Sequence, residues 1–216
     1  MSEKKNLTSN QYTANEELAN GITHGIGVLF SIAGLVILIT TASLHGDVWQ
    51  MVSFSIFGCT MIMLYSASTL YHSISNPLLK AGLKKLDHSA IFLLIAGTYT
   101  PFLIVHLRST LGWSLLAVIW TLTAIGIVIK VFYIQKVKKL STGLYLMMGW
   151  LCVIAMQGLF HILPLTSFSL LIAGGVFYTA GVIFYAWEKL PYNHAVWHLF
   201  VLGGSTSHFF SVLKSV

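Results

Sequence analysis

The chain has 216 residues, of which 56% are hydrophobic and only 8% charged, and its mean hydropathy is +0.81. A soluble domain carries about a quarter of charged residues, so this composition excludes a soluble protein and indicates an integral membrane protein. The formal net charge of +6 indicates nucleic-acid binding only where basic residues share a solvated face. Here they lie in short links between apolar runs, so we expect no nucleic acid as a partner.

Apolar runs follow one another along the chain, each near the ~20 residues that a helix needs to cross a bilayer. Short links with turn-forming residues such as Pro77, Pro164 and Pro191 separate them. Pro101 lies inside a run, where a membrane helix absorbs it as a kink. The predicted runs are 21–42, 48–72, 88–107, 111–133, 142–163, 167–187 and 194–213. We therefore predict an all-α integral membrane protein, a seven-transmembrane helix bundle.

The distribution of Lys and Arg predicts the orientation of this bundle. If the amino terminus is cytoplasmic, all basic residues except Arg108 and Lys214 lie on the cytoplasmic side. Cytoplasmic loops carry such an excess of positive charge. We expect a multi-pass protein of the cell membrane, as in a bacterial plasma membrane, with the amino terminus in the cytoplasm and the carboxyl terminus outside. Its parts are then a polar cytoplasmic segment at 1–16 and a transmembrane domain at 17–216.

This topology brings polar residues of four runs to the cytoplasmic leaflet. They are Glu17, Asn20 and His24 at run one, Ser68 and His72 at run two, Asp87 and His88 at run three, and His194 and His198 at run seven. The histidines at 45, 106 and 161 fall at the outer ends, ~30 Å away, and are interpreted as solvated interface residues. His208 lies ~15 Å along the helix from His198, too far to share an ion with it.

Three of these imidazoles, at His72, His194 and His198, match the three-ligand plan of a catalytic zinc site, which leaves a fourth position for water. Each piece also has a simpler interpretation. Histidines four residues apart occur by chance in a chain with nine of them, and a single His at a helix end commonly reaches for the headgroups. Asp87 can pair with a neighbouring lysine, Lys84 or Lys85.

The motifs "EELANGITH", "STLYH", "LDHSAI" and "HAVWH" together resemble those of the progestin and adipoQ receptor family, specifically its short bacterial hemolysin III branch. They occur in the same order from Glu17 to His198. The resemblance implies a seven-helix bundle with zinc held near the cytoplasmic face by His72, His194 and His198. It also implies that Ser68 and Asp87 lie beside the water on the zinc. His24 matches a histidine that is not a ligand.

The chain lacks the long cytoplasmic amino-terminal domain of the hormone-receptor members, which argues against an adiponectin or steroid receptor role. Three neutral imidazoles leave zinc its full charge, which can lower the pKa of bound water to ~7. Asp87 would then transfer a proton and Ser68 would position the water or an oxyanion. Glu17, Asn20 and His24 would form a gate or orient the ligands. An apolar bundle admits a lipid chain, and alkaline ceramidases are similar in this arrangement, so the leading hypothesis is a hydrolase of a lipid amide or ester.

Three other functions stay open. A structural zinc site would close its fourth position with a protein ligand, for which Asp87 is the candidate. A receptor or sensor of the membrane state would bind lipid without turnover. A pore-forming cytolysin would need a continuous polar face on several helices, whereas the polar residues here lie chiefly at the cytoplasmic ends.

Overall fold

The computed structural model describes residues 12–134 and 138–216, and the side chains of all of these except 138 and 139. The described residues form helices joined by short links, with no strand among them. A π-helical turn at Phe102–His106 continues α3 beyond Pro101. The helices are α1 (Ala14–His45), α2 (Val48–Ser73), α3 (Pro77–Pro101), α4 (Thr110–Tyr133), α5 (Lys138–Trp150), α6 (Val153–Ile162), α7 (Leu165–Ala186) and α8 (Asn193–Leu213).

Six helical segments of the described chain are long and apolar enough to cross a membrane. They are α1, α2, α3 with its π-helical turn, α4, the stretch Leu140–Ile162 that joins α5 and α6, and α7. Large apolar side chains such as Leu29, Phe30 and Leu165 lie exposed on the outside of the bundle, as contact with lipid requires. The protein is therefore a multi-pass, all-helical membrane protein.

Helix α8 is the predicted seventh span, and it is not among these six segments. It has 21 residues, and three histidines and three serines interrupt its apolar sequence. It packs against α7 along its length and also against α1. A count of seven crossings and the orientation of the bundle remain predictions. We call one end of the bundle the proximal end and the opposite end the distal end. Helices α1, α3, α5 and α8 begin at the proximal end, and α2, α4 and α7 end there.

Side chains at the helix starts explain where several helices begin. Thr13 and Glu16 form a capping box at α1, and Asp47 and Gln50 form another at α2. Asn76 accepts from two backbone N–H groups at the start of α3, where Pro77 needs no hydrogen-bond partner. These contacts satisfy amides that the first turn of a helix leaves without partners.

Two predicted boundaries move. The third run was expected to begin at 88, but α3 begins at Pro77, because the Asn-Pro pair starts a helix and not only a turn. Of the polar segment predicted for 1–16, residues 1–11 lie outside the described part of the chain. Residues 14–16 form the first turn of α1, since the capping box at Thr13 begins the helix there.

The fifth predicted run, 142–163, is interrupted in the structure between α5 and α6, at Leu151 and Cys152. The Tyr99 hydroxyl of α3 reaches the backbone at this point and donates to the carbonyls of Met148 at 2.7 Å and Gly149 at 2.9 Å. A side chain inserted into the hydrogen-bond ladder is a known cause of a helix break. Tyr99 therefore both opens α5 and satisfies the carbonyls at the opening.

The tightest contacts are between α1 and α2, α2 and α3, and α7 and α8. Small residues allow these close approaches, as is usual between membrane helices. At Gly27 the Tyr65 ring lies where a Cβ would stand, and at Gly174 the His208 ring does the same. The helices α5 and α6 contact the rest of the bundle more sparsely. This leaves room between them and α3, α7 and α8.

Candidate metal centre

Three imidazoles meet at the proximal end of the bundle. His72 comes from the last turn of α2, and His194 and His198 come from the first turns of α8. Each offers one ring nitrogen, and the three nitrogens all lie within 4.8 Å of one another. All three residues are buried, His198 to 1% exposure. This cluster can hold a metal ion, and it joins the residues that the sequence predicted as ligands.

The start of α8 is held firmly, which fixes the direction of its two histidines. Tyr192 precedes the helix in a left-handed conformation, with φ 57°, and such a conformation in a non-glycine residue stores strain that its surroundings must hold. The Tyr192 amide donates to the Glu16 carboxylate of α1 at 3.1 Å. The Asn193 side chain donates to the carbonyls of Phe184 and Tyr185 at the end of α7. Because His194 and His198 are four residues apart, both then face the same side.

Residues of α1 orient two of the three imidazoles. Nδ1 of His72 lies 2.6 Å from Oε2 of Glu17, and Nδ1 of His198 lies 3.2 Å from the carbonyl oxygen of Asn20. With Nδ1 as the donor in each ring, Nε2 is the nitrogen left for a metal. Metal-binding histidines usually donate their other N–H to a carboxylate or a carbonyl in this way. Glu17 and Asn20 therefore lie where the predicted role of orienting the metal ligands requires them.

Lys80 holds the other oxygen of Glu17. Its Nζ lies 2.9 Å from Oε1 of Glu17 and donates to the carbonyls of Tyr71 and Ile74 at the end of α2. Lysine at a helix carboxyl end interacts favourably with the carbonyls there. In the sequence Lys80 is one of many basic residues in the links, and its contact with the carboxylate beside His72 was not predicted.

His24 packs on the cluster without joining it. Its ring stacks on that of His198, with centroids 3.5 Å apart and planes 12° from parallel, and it meets the Tyr65 ring edge-on. Both ring nitrogens are buried and have no hydrogen-bond partner among the described residues. The structure thus places His24 against a ligand ring, outside the group of three.

Asp87 and Ser68 are both buried near the cluster. The Asp87 carboxylate is 3.7 Å from Nδ1 of His88, and the charge of Lys84, one of the two lysines considered from the sequence, also acts on it. Ser68 lies close to this carboxyl, and its Oγ makes no hydrogen bond within the described chain that meets ordinary geometry. The Asp87 carboxylate is not part of the group of ligand atoms that lie within 4.8 Å of one another.

Tyr12 covers the cluster from the chain end, before α1 begins. Its ring stacks on that of His194 with centroids 5.1 Å apart, and lies 6.0 Å from the ring of His72. Burial raises the pKa of the Tyr12 hydroxyl far above its usual value, so the phenol is neutral. Tyr12 falls in the polar cytoplasmic segment predicted for 1–16, and nothing in the sequence indicates this contact.

The other histidines lie away from the cluster. His45 and His161 are exposed at the distal end. His106 is half-buried there and lies 2.9 Å from the Ser215 hydroxyl. His208 is buried further along α8, where Nε2 donates to the Leu171 carbonyl at 3.1 Å. None of them is in the group of three, as the sequence predicted.

A cavity of about 210 Å³ opens from the cluster into the bundle. Asp87, His194 and His198 line its proximal end, and Tyr99, Leu103, Leu171 and other mostly apolar side chains of α3, α5, α6, α7 and α8 line the rest. The interruption between α5 and α6 lies along its wall. An apolar cavity with a few polar groups at one end is the usual form of a site for an amphiphilic small molecule.

The cluster fits a divalent metal of the kind that imidazole binds. Nε2 of His72 is buried and has no partner among the described residues, which is costly unless a ligand occupies that side of the ring. The nitrogens on the opposite sides of His72 and His198 are already bonded to Glu17 and Asn20. Three histidines are a recurring ligand set for zinc.

Comparisons with known proteins agree with the motifs. The family model described as haemolysin-III related matches residues 12–209. Hemolysin-3 of Bacillus cereus is 53% identical over 213 residues, which are 99% of this chain and 96% of that protein. The Hemolysin-3 homolog of Bacillus subtilis is 54% identical over 202 residues, 94% of this chain and 95% of that protein. The human monocyte to macrophage differentiation factor is 28% identical over 210 residues, 94% of this chain and 85% of that protein.

Proposed function

This chain belongs to the haemolysin III-related family, with distant relatives of the progestin and adipoQ receptor type, and we propose that it is a zinc-dependent hydrolase of a lipid amide or ester. One observation carries the proposal. Three buried imidazoles converge at the polar end of an apolar cavity, with a buried carboxylate, Asp87, on the same wall. A bond to be cleaved and an acyl chain can therefore be held in one place.

Zinc fits the donor set best, because neutral imidazole nitrogens suit it and the group contains no thiolate and no carboxylate. His72, His194 and His198 would hold the ion. When bound, it would supply a Lewis acid that polarises a carbonyl oxygen and makes water a stronger acid. Glu17 and Asn20 would keep the two rings that they contact in one orientation.

Asp87 is the general base and acid of the proposed reaction. Its carboxylate is buried and lines the cavity. It can accept a proton from the attacking water and return it to the leaving group. The Ser68 hydroxyl lies near this carboxyl and can donate to the oxyanion that develops on the cleaved carbonyl.

The cavity favours an amphiphile with an acyl chain as the substrate. The chain would lie among apolar residues such as Leu103 and Leu171, and its carbonyl would reach the proximal end beside His194 and His198. A ceramide-like amide and a lipid ester both have this shape. The mostly apolar lining argues against an aqueous pore, which needs polar residues along its whole length.

A structural metal site in a non-catalytic lipid sensor is the second candidate. Tyr12 favours it, because its ring covers the cluster on the side of His194 and limits access from that end. The fourth ligand that a closed site requires is not supplied by Asp87, which lies outside the group of nitrogens. Access from the cavity therefore remains, and we favour the hydrolase.

The test is hydrolysis by purified, zinc-loaded protein of three lipids: N-palmitoylsphingosine, N-palmitoylglycine and an acyl ester. We expect a product that disappears when a chelator removes the metal. Asp87→Asn is expected to lower the rate by about 10²- to 10⁴-fold while zinc stays bound.

The matched control is Asp47→Asn at the distal start of α2, where Asn also caps a helix and the rate is expected to stay unchanged. Absence of a metal-dependent product from all three lipids would overturn the proposal in favour of the sensor. Full activity of the Asp87→Asn variant would remove Asp87 from the mechanism.

A further inference from the structure

A lysine is buried in the wall of the cavity. Lys130 lies in the last turn of α4, and only 2% of it is exposed. It lines the same cavity as Asp87, His194 and His198. Lysine is almost never fully buried unless it is paired, and an ionised side chain within a membrane helix commonly marks a functional site.

The surroundings of Lys130 tie it to the proximal end of the cavity. Its Nζ lies 5.8 Å from the centre of the Tyr145 ring. The Tyr145 hydroxyl donates to the carbonyl of His88 at 2.8 Å, and His88 follows Asp87 in α3. One side chain therefore separates Lys130 from the segment that carries the proposed general base.

Lys130 differs from Lys80, which also lies at the proximal end. Lys80 has a carboxylate oxygen at 2.9 Å and two carbonyl partners. Among the ion pairs formed within residues 12–134 and 140–216, none includes Lys130. An ammonium group has three N–H donors, so its partners are to be sought in what enters the cavity.

The electrostatic balance at this end also favours an anion. Glu17 is neutralised by Lys80, which leaves Asp87 as the negative group of the cavity wall. Lys130 balances this single negative charge without any metal, and the charge of Lys84, which also acts on Asp87 and Lys130, makes the balance positive. A negative group that entered beside Lys130 would therefore meet a net positive field.

We propose that Lys130 binds the negatively charged head group, a carboxylate or a phosphate, of an acyl amphiphile whose chain fills the cavity. The anion site stands whether or not the protein turns the amphiphile over. The further consequence rests on the proposed function: the substrate is an acyl conjugate with an acidic head group, such as an N-acyl amino acid, and not a neutral ceramide.

The test is equilibrium binding to purified protein in a neutral detergent, with three probes of equal acyl chain length. They are N-palmitoylglycine, palmityl phosphate and neutral N-palmitoylethanolamine. We expect at least one acidic probe to bind 10-fold or more tightly than the neutral probe, and the tighter of the two identifies the head group. Lys130→Met is expected to abolish this preference, and Lys130→Arg to keep it.

Three controls make the result decisive. Lys85→Met removes a lysine at the same end that does not line the cavity, and should leave the preference unchanged. Binding of the neutral probe by Lys130→Met shows that this variant is folded. The preference must persist after a chelator has removed the metal, because an acid bound only by the metal would lose it.

An equal preference in Lys130→Met and wild type, or equal affinities of wild type for all three probes, would overturn the inference. Failure of the hydrolase proposal would have a different result, in which acidic probes bind through Lys130 but no lipid is cleaved.

Discussion

The proximal end and the distal half of the bundle both contain buried polar side chains, but the hydrogen bonds of these side chains differ between the two regions. In the distal half they bond to one another. Ser167 and Ser211 each donate to the other's backbone carbonyl, at 2.8 and 2.7 Å. Nearer the middle of the bundle, the hydroxyls of Tyr65 and Tyr178 both meet Oγ of Ser205. Beyond Ser205 on α8, His208 keeps one nitrogen, Nδ1, without a partner among the described residues.

At the proximal end, several buried polar atoms have no partner in the described chain. They are Nε2 of His72, both ring nitrogens of His24, Oγ of Ser68 and Oδ1 of Asn20. Unpaired polar atoms are expensive in an apolar surrounding. The polar pairs of the distal half hold helices together, whereas the unpaired polar atoms of the proximal end favour the binding of a ligand among them.

The largest expected effect is loss of metal from the proximal end. His72→Ala, His194→Ala and His198→Ala should each remove most of the zinc, since these three imidazoles are the only protein ligands of the proposed site. Elemental analysis of detergent-purified protein measures it. His45→Ala, His106→Ala, His161→Ala and His208→Ala should keep their zinc. Equal loss in both groups would refute the ligand assignment.

A smaller effect is expected from the carboxylate that orients His72. Glu17→Gln should weaken metal affinity by about 10- to 100-fold, because the ring loses a charged acceptor. Competition with a chelator of known affinity measures the change. Asp47→Asn is the control, because this carboxylate caps the distal start of α2, where Asn also caps a helix and no imidazole is contacted. Unchanged affinity in Glu17→Gln would show that the 2.6 Å contact does not support the ligand.

The smallest effect is expected in the distal half. Ser167→Ala removes one buried hydrogen bond to Ser211 and should lower the free energy of unfolding by about 0.6 to 1.5 kcal/mol, with zinc content unchanged. Reversible unfolding in mixed micelles measures it. Ser207→Ala, whose hydroxyl bonds only within its own helix, should have a smaller effect. Zinc loss in Ser167→Ala would mean that the two regions are coupled.

Much of the fold and of the site could be predicted from the sequence, because hydropathy and helical spacing are local signals. The apolar runs predict most of the helices, and the spacing of His194 and His198 places both on one face of α8. The motif order supplied His72, on a different helix, and the structure brings the three together. Their roles in chemistry remain predictions.

The parts that were missed depend on contacts between distant segments. Tyr12 reaches His194 only because the chain before α1 folds over the start of α8. Lys130 looks like one more basic residue near a link, and its burial depends on how α4 meets α5. The interruption of the fifth run contains no proline that would have predicted it. It lies where Tyr99 of α3 donates to the backbone of α5, which is a contact that the local sequence does not show.

The left-handed residue Tyr192 has a consequence for how the chain can vary. Connections on a protein surface ordinarily tolerate changes of length, but the hydrogen bond from the Tyr192 amide to the Glu16 carboxylate and the contacts of Asn193 anchor this one. With these anchors in place, one residue inserted between Asn193 and His194 would turn the two histidines by about 100° around the helix axis and carry them away from His72. We expect library selection for zinc retention to accept substitutions in this connection while rejecting insertions and deletions.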